Sequence, residues 1–181
     1  MPALTEEHIK ILGPLINPFE RNLEKPPFDI EVLKARGEAH NNAFTYAIHN
    51  GIDNGLPTTP EKILTTQERD EYRILEGRKY FEKCYLWVID EVSIKIMWEK
   101  TPNILRGAAI PEKAYVCHTN ITGCQKALAG GEMYFCEDGN IYINFSSDRY
   151  GYRGTDERKK RVIEVMEYME YKNIQLIKEY F

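Results

Sequence analysis

The chain has 181 residues, of which 43% are hydrophobic and 29% are charged, and it contains 12 Tyr, 7 Phe and 2 Trp. Such a composition can bury a core, so it excludes disorder as the main state. The net charge of −4 argues against a dedicated nucleic-acid scaffold but leaves room for an enzyme with a local basic site. At roughly 150 residues per domain, the length predicts one domain over 1–181, helical at 1–83 and sheet-bearing at 84–181.

Membrane and metal signals are weak in this sequence. No apolar run is long enough to span a membrane, and residues 1–7 do not read as a secretory signal. His40 and His49 are nine residues apart rather than four, so they are not predicted to share a metal on one helical face. No CxxC spacing occurs, and disulfide status stays open for Cys84, Cys117, Cys124 and Cys136. We expect a cytoplasmic protein that binds no membrane, metal ion or cofactor. Delivery of the protein into the cytoplasm of another cell fits the same expectation.

Helical signals dominate the first part of the chain. They predict a short helix that is capped by Thr5 and ends near Gly13, and a second helix that begins after Asp29. Thr59-Pro60-Glu61 is a further helix start signal. The last predicted helix covers about 68–81, with a capping-box pair at Thr65 and Glu68.

Strand signals begin at Cys84, which is expected to be a small apolar residue of the first strand. The predicted strands are 84–89, 93–99, 114–119, 132–137 and 140–145. Asp138-Gly139 is a strong hairpin signal between the last two strands. The fold class is therefore predicted to be α+β, with N-terminal helices packed on a mainly antiparallel β-sheet and a C-terminal helix.

The C-terminal helix is predicted to open at Thr155 and to end at Asn173. The residues expected to face the sheet are Val162, Val165, Met166 and Met169. The basic run 158–161 is expected to be solvated. A short strand at 174–177 follows.

The hairpin also predicts a face for Glu132. A two-residue turn at Asp138-Gly139 would pair residue 137 with 140 and residue 132 with 145. Glu132 would then lie on an apolar face with Phe145, where burial raises the pKa of a carboxyl. A cation beside it is expected, either His118 or Arg149.

The densest group of reactive polar residues lies at 118–152. His118 is expected to close a strand, Gly130-Gly131 allows close backbone approach just before Glu132, and Arg149 lies in the loop after the hairpin. We predict His118, Glu132 and Arg149 as catalytic. The predicted substrate-binding residues are Thr119, Asn120, Gly131, Asn144, Ser147 and Tyr150. Each of these residues also has an ordinary structural interpretation.

The order of short motifs in this region is His-Thr, a stretch ending in Gly-Glu, a strand, Asp-Gly, a strand, Ser-Asp-Arg-Tyr and a helix. In this order, residues 114–178 resemble a domain of plant IQ-motif calmodulin-binding proteins and of some bacterial polymorphic toxin C-termini. The resemblance implies carry-over of His118, Gly131, Glu132, Ser147 and Tyr150 and an effector or toxin context. Asp148 and Arg149 stand where that pattern has Gly and His, so the role of that second His does not transfer. No IQ motif is visible, so calmodulin binding does not transfer either.

Three functions remain open. His118, Glu132 and Arg149 could supply the base, acid and cation of metal-independent, RNase-like phosphodiester cleavage. A non-enzymatic module could instead bind a nucleotide or RNA-like ligand, or a protein through the helical half. An NAD-dependent ADP-ribosyltransferase is the second alternative, although Glu132 follows His118 by only 14 residues.

Overall fold

The computed structural model describes residues 2–18, 60–75, 83–99, 118–147, 149–151 and 155–177. The helix predicted after Asp29 and residues 114–117 of a predicted strand lie outside the described residues, as does Cys117.

Within the described residues, the chain forms helices and one mixed sheet. In chain order the elements are α1 (Glu6–Leu12), β1 (Ile63–Leu64), α2 (Thr66–Leu75), β2 (Tyr85–Ile89), β3 (Ile94–Trp98), α3 (His118–Thr122), β4 (Ala129–Cys136), β5 (Ile141–Ile143), α4 (Asp156–Tyr168) and β6 (Ile174–Leu176). The strand order is β3-β2-β4-β5-β6, with β1 paired to β4. The β2–β3, β2–β4 and β4–β5 pairs are antiparallel, whereas β1–β4 and β5–β6 are parallel. The predicted α+β class is confirmed.

Helices α1 and α2 begin at the predicted caps. The Thr5 hydroxyl accepts a hydrogen bond from the His8 N–H at 3.3 Å, and Gly13 ends α1. At the start of α2, the Thr65 N–H donates to Glu68 Oε2 at 2.8 Å and the Glu68 N–H donates to Thr65 Oγ1 at 3.2 Å. This reciprocal capping box satisfies two backbone donors that the first helical turn leaves over.

Two predicted elements are wrong. Thr59-Pro60-Glu61 does not open a helix, because the chain continues into β1, where Leu64 is only 1% exposed against β4. His118 and Thr119 do not close a strand, since they form the first turn of α3. In both places burial against the sheet overrides the local sequence signal. For α3 the buried residue is Ile121, which is 7% exposed and packs in a core cluster with Leu86 and Val88 of β2.

The β4–β5 turn has one residue more than predicted. Gly139 adopts the expected positive φ of 81°, but the Cys136 N–H donates to the Asn140 carbonyl at 3.0 Å and Met133 pairs with Ile143. The turn therefore contains residues 137–139. The shift of one residue reverses the face that each β4 residue shares with β5.

The sheet consequently has two unlike faces. One face is apolar and packs on α1 and α4; it includes Trp87, Ile96, Met133, Phe135, Ile143 and Phe145. The opposite face lies under α3, and we call it the α3 face; it includes Cys84, Leu86, Val88, Gly130, Glu132, Tyr134, Tyr142 and Asn144. Glu132 is thus on the face opposite to Phe145, so its predicted pairing with Phe145 is wrong, and it lies opposite Leu86 instead.

Helix α4 covers the apolar face as predicted. Its buried residues are Val162, Val165 and Met166, with Met169 at the C-cap. It ends at Tyr168 rather than Asn173, because Glu170 and Asn173 adopt positive φ angles of 74° and 58°. Arg158 is not simply solvated: its Nη2 donates to the Leu12 carbonyl at 2.7 Å and so satisfies the C-terminus of α1. None of the described helices is long and apolar enough to cross a membrane.

Candidate functional site

A thiol and two carboxyl groups meet on the α3 face. Cys84 precedes β2 and Glu99 follows β3, and the Glu99 N–H donates to the Cys84 carbonyl at 3.0 Å. Glu132 lies on β4 opposite Leu86. The Cys84 Sγ and one carboxylate oxygen from each of Glu99 and Glu132 all lie within 4.8 Å of one another. The sheet register therefore assembles a cluster, hereafter the acid–thiol cluster, from three strands.

Asn144 and Tyr134 hold the Glu132 side chain. Asn144 Nδ2 donates to Glu132 Oε2 at 2.7 Å, and the Tyr134 hydroxyl donates to the same oxygen at 3.4 Å. Asn144 Oδ1 accepts from the backbone N–H groups of Glu132 and Ser146, each at 2.9 Å, which fixes the orientation of the amide. Hydrogen bonds donated to a carboxylate favour its ionised form. An amide and a phenol therefore hold this carboxylate.

The other two members of the cluster have shifted pKa values. Burial raises the pKa of Glu99 to about 7, and the nearby charge of Glu132 adds to the shift. Burial also raises the pKa of the Cys84 thiol, and the charges of Glu132 and Glu99 raise it further. Cys84 therefore remains a protonated thiol at neutral pH. Glu99 is therefore a carboxyl group that titrates close to neutrality.

His118 lies on the same face, one step along β4. Its Nε2 is 2.8 Å from the Gly131 carbonyl oxygen and donates to it, because a carbonyl only accepts. Its Cδ2 lies 3.4 Å from the position that a Cβ on Gly130 would take. Gly130 and Glu132 are successive residues of this face, about 7 Å apart along the strand. The structure therefore brings His118 and Glu132 to one face of the sheet.

Gly130 and Gly131 are required by close approach rather than by positive φ. A Cβ on Gly131 would lie 2.0 Å from the Asn144 carbonyl oxygen, and one on Gly130 would lie 3.0 Å from the Tyr150 Cβ. The double glycine lets the chain after β5 and the loop at Tyr150 lie directly on β4. It therefore positions both His118 and Asn144.

Tyr150 and Thr119 stabilise the α3 region. Tyr150 is 0% exposed, and its hydroxyl donates to the Gln125 carbonyl at 2.5 Å and lies 2.7 Å from Thr122 Oγ1. The Thr119 carbonyl accepts from the Cys124 N–H at 2.9 Å. These contacts stabilise the turn that ends α3. Tyr150 and Thr119, which the sequence predicts as substrate-binding residues, therefore support the helix that carries His118. The Asn120 side chain lies outside the described residues.

Ser147 and Arg149 form the turn that leads to Tyr150. Ser147 Oγ accepts from the backbone N–H of Arg149 at 3.3 Å and from that of Tyr150 at 3.0 Å. The charge of Arg149 acts to lower the pKa of Tyr150, against the larger effect of burial that raises it. The turn therefore positions Arg149 near the Tyr150 phenol. The same turn leads to Gly151, which pairs with Gly130 of β4.

Sequence reasoning missed two members of the acid–thiol cluster. The sequence predicts Cys84 only as a small apolar strand residue and indicates no role for Glu99. A usable signal was present, because a hairpin with its turn at 90–93 brings the beginning of one strand beside the end of the other. What the sequence did not provide was the register across β2 and β4 that adds Glu132.

The cluster fits proton binding better than metal binding. Protein zinc sites contain imidazole or several thiolates, whereas this cluster contains one thiol, whose raised pKa opposes the thiolate that a metal needs. Among the residues that the structure describes, no fourth His, Cys, Asp or Glu joins Cys84, Glu99 and Glu132. Two carboxyl groups in one partly buried place are, in contrast, a common proton-sharing arrangement.

No family model, no curated protein and no solved structure matches this chain. The resemblance of residues 114–178 to the plant and toxin domain therefore stays a prediction. The class of protein that the fold and the site define is an α+β domain with an acid–thiol cluster and a histidine on one face of its sheet.

Proposed function

We propose that this protein is a small enzyme that cleaves phosphodiesters, preferentially RNA, by proton transfer and without a metal ion. Its proposed catalytic residues are Glu132, His118 and Arg149. The observation that carries the proposal is the placement of Glu132 and His118 on one face of β4. Glu132 is held there by Asn144 at 2.7 Å, and His118 by the Gly131 carbonyl at 2.8 Å.

Glu132 is suited to act as the general base. The donors on its Oε2, Asn144 and Tyr134, favour the carboxylate. In the proposed reaction this carboxylate accepts the proton of a ribose 2′-hydroxyl while the hydroxyl oxygen forms a bond to phosphorus. The role differs from the one predicted from the sequence, where an apolar face would have made Glu132 an acid.

His118 is suited to act as the general acid. Its Nε2 donates to the Gly131 carbonyl, which holds the ring in place, and the ring can donate a proton when it is an imidazolium. That proton passes to the leaving 5′-oxygen as its bond to phosphorus breaks, which yields a cyclic phosphate and a free hydroxyl. In an in-line displacement the attacking and leaving oxygens lie on opposite sides of phosphorus, so base and acid should be separated rather than in contact.

Arg149 is the proposed cation of the site. It lies in the turn after Ser147, and Gly151 of this turn pairs with Gly130 beneath His118. A guanidinium there would stabilise the charge that develops on the phosphoryl oxygens in the transition state.

The proposed setting of this activity is the inside of a cell. Cys84 and Cys136 are free thiols, which fits a reducing compartment. The resemblance of residues 114–178 to toxin domains supports an effector or toxin role, either in the producing cell or after delivery into another. RNA or a nucleotide is the proposed ligand, and the helical half could dock a protein.

A non-enzymatic binding module is the second candidate, and the burial of His118 favours it. His118 is only 8% exposed, and its ring donates to a backbone carbonyl, as structural histidines commonly do. In that case the same face would hold a nucleotide-like ligand without changing it.

The test is incubation of the purified protein with RNA, NAD and a nucleotide panel in the presence of a chelator, with products identified by mass spectrometry. RNA fragments that end in a cyclic phosphate support the proposal. Glu132→Gln and His118→Gln should each lower the rate by about 10²–10⁴-fold. The matched control Glu164→Gln, on the exposed side of α4, should leave the rate unchanged. Saturable binding of an intact ligand favours the module, and release of nicotinamide from NAD favours the transferase.

A further inference from the structure

We infer that Glu99 and Glu132 act together as one proton acceptor, in which Glu99 acts through Glu132 rather than on the substrate. A proton taken up at Glu132 would then be held by the pair. The inference rests on the proposed function, because Glu132 is the base of that reaction. It adds a positioning residue that lies 33 positions away in the sequence and on another strand.

Backbone pairing fixes the distance between the two carboxyl groups. Glu99 is tied to Cys84 by the backbone hydrogen bond of 3.0 Å, and one oxygen of its carboxylate lies within 4.8 Å of the Cys84 Sγ, whose thiol donates to the Tyr85 carbonyl at 3.6 Å. Cys84 is itself 0% exposed. Glu132 is anchored from its other side by Asn144. The two carboxyl groups are therefore held close together in the folded protein, each by contacts on its own side.

Two ionised carboxylates in a partly buried place repel each other, so one proton is retained by the pair. Glu99 Oε2 is buried and has no hydrogen-bond partner among the described residues, whereas Glu132 Oε2 accepts from Asn144 and Tyr134. The proton is consequently held on Glu99 while Glu132 stays ionised. The two groups titrate as a coupled pair, and the second proton of the pair leaves near neutrality.

This coupling gives the pair of carboxyl groups a basicity that an isolated carboxylate lacks. An ordinary Glu has a pKa of about 4.3, so it is a poor proton acceptor at neutral pH. The doubly ionised pair instead takes up a proton close to pH 7, the pKa at which burial and the Glu132 charge place Glu99. General-base catalysis is most effective when the pKa of the base lies near the working pH.

The titratable groups in contact with the pair, Cys84 and Tyr134, do not supply a competing charge at neutral pH. Cys84 stays a thiol because its pKa is raised, and Tyr134 donates its hydroxyl to Glu132. Lys95 lies on the same face of β3 but forms an ion pair with Asp90. His118 lies one step further along β4, over Gly130.

The first test is a pH titration of the whole protein with carbon-13 labels on its glutamate carboxyl groups, followed by NMR. We expect one Glu signal to titrate near pH 7, and to be absent in Glu99→Gln. In Glu132→Gln the same signal should move to lower pH, because a negative neighbour has been removed. The control Glu164→Gln should leave it in place. A wild-type protein in which every Glu titrates near about 4.3 would overturn the inference without any variant.

The second test is the pH dependence of RNA cleavage. In the wild type the rate should rise through about pH 7, and in Glu99→Gln this rise should move toward about pH 4.3 while cleavage persists. An equal loss at every pH, with the rise unmoved, would mean that Glu99 is merely structural. The two tests separate the two ideas. A coupled titration without cleavage contradicts the proposed function alone, and cleavage without a coupled titration contradicts this inference alone.

Discussion

Asn144 binds Glu132 at both its backbone and its side chain. Asn144 Oδ1 accepts from the Glu132 N–H at 2.9 Å, and Asn144 Nδ2 donates to Glu132 Oε2 at 2.7 Å. The amide of a residue that is 5% exposed thus sets both the strand position and the rotamer of the proposed base. The contact depends on the one-residue shift of the β4–β5 register, because Asn144 lies opposite Glu132 only in that register.

The first prediction follows from this contact. Asn144→Asp keeps the shape of the side chain but replaces the donating Nδ2 with a carboxylate oxygen that faces Glu132. We expect a loss of about 1.5–3 kcal/mol in the free energy of unfolding at neutral pH, the range for a hydrogen bond to a charged group. In mildly acidic buffer the loss should be smaller, because the carboxyl groups become protonated. Urea unfolding at both pH values measures it, with the exposed Gln175→Glu as the control.

The second prediction concerns the dependence of stability on pH. The pKa of Glu99 is about 7 in the folded protein, because of burial and then of the Glu132 charge, against about 4.3 in the unfolded chain. Between these values the folded state binds the additional proton, so its stability falls as the pH rises through this window. Glu99→Gln should therefore gain stability over the wild type as the pH rises toward 7. A melting-temperature difference that does not change with pH would contradict the assigned shift.

The local signals in the sequence predicted more of the fold than of the site. The Thr5 and Thr65 caps and the positive φ of Gly139 depend on neighbours in the chain, and they were predicted correctly. The face of Glu132 was predicted wrongly, because one additional residue in a turn reverses a whole strand and no local propensity specifies it. His118 was placed in a strand because its neighbours are β-branched and aromatic, whereas packing of α3 on the sheet decided otherwise.

The site required long-range information that spacing alone does not contain. Cys84 and Glu99 meet through the β2–β3 ladder, and Glu132 joins them through the β2–β4 ladder. Each ladder depends on the burial of apolar residues on the opposite face. Residues such as Gly131 were therefore recognisable as unusual from the sequence, but their contacts were not.

The third prediction compares two glycines that are needed for different reasons. A Cβ on Gly131 would lie 2.0 Å from the Asn144 backbone, so Gly131→Ala has to displace β5 from β4 and should cost more than about 4 kcal/mol. A Cβ on Gly139 meets nothing within 4 Å, so Gly139→Ala is strained only by its φ of 81° and should cost about 1–2 kcal/mol. Thermal unfolding of both variants gives the order, and equal costs would contradict the close approach at Gly131.

The fourth prediction tests the face of α4 that packs on the sheet. Met166 is 0% exposed in the core that also contains Met133 and Ile143. Met166→Ala should therefore cost about 2–5 kcal/mol, the range for truncation of a buried large side chain. Lys160→Ala, on the exposed side of the same helix, should change the free energy of unfolding by less than about 0.5 kcal/mol. A Met166→Ala protein as stable as the control would place this side chain outside the core.

The last prediction separates support of His118 from contact with a substrate at Tyr150. The Tyr150 Cβ lies 3.0 Å from the position that a Cβ on Gly130 would take, and the Tyr150 hydroxyl joins Thr122 and the Gln125 carbonyl in the turn that ends α3. Tyr150→Phe keeps the ring and removes the hydroxyl, which should cost about 1–3 kcal/mol because buried partners lose their hydrogen bond. Hydrogen exchange should quicken at the backbone amides of residues 121–125, since these amides depend on the turn. If Tyr150 served only to bind the substrate, the variant would lose affinity for RNA while exchange in α3 stayed as in the wild type.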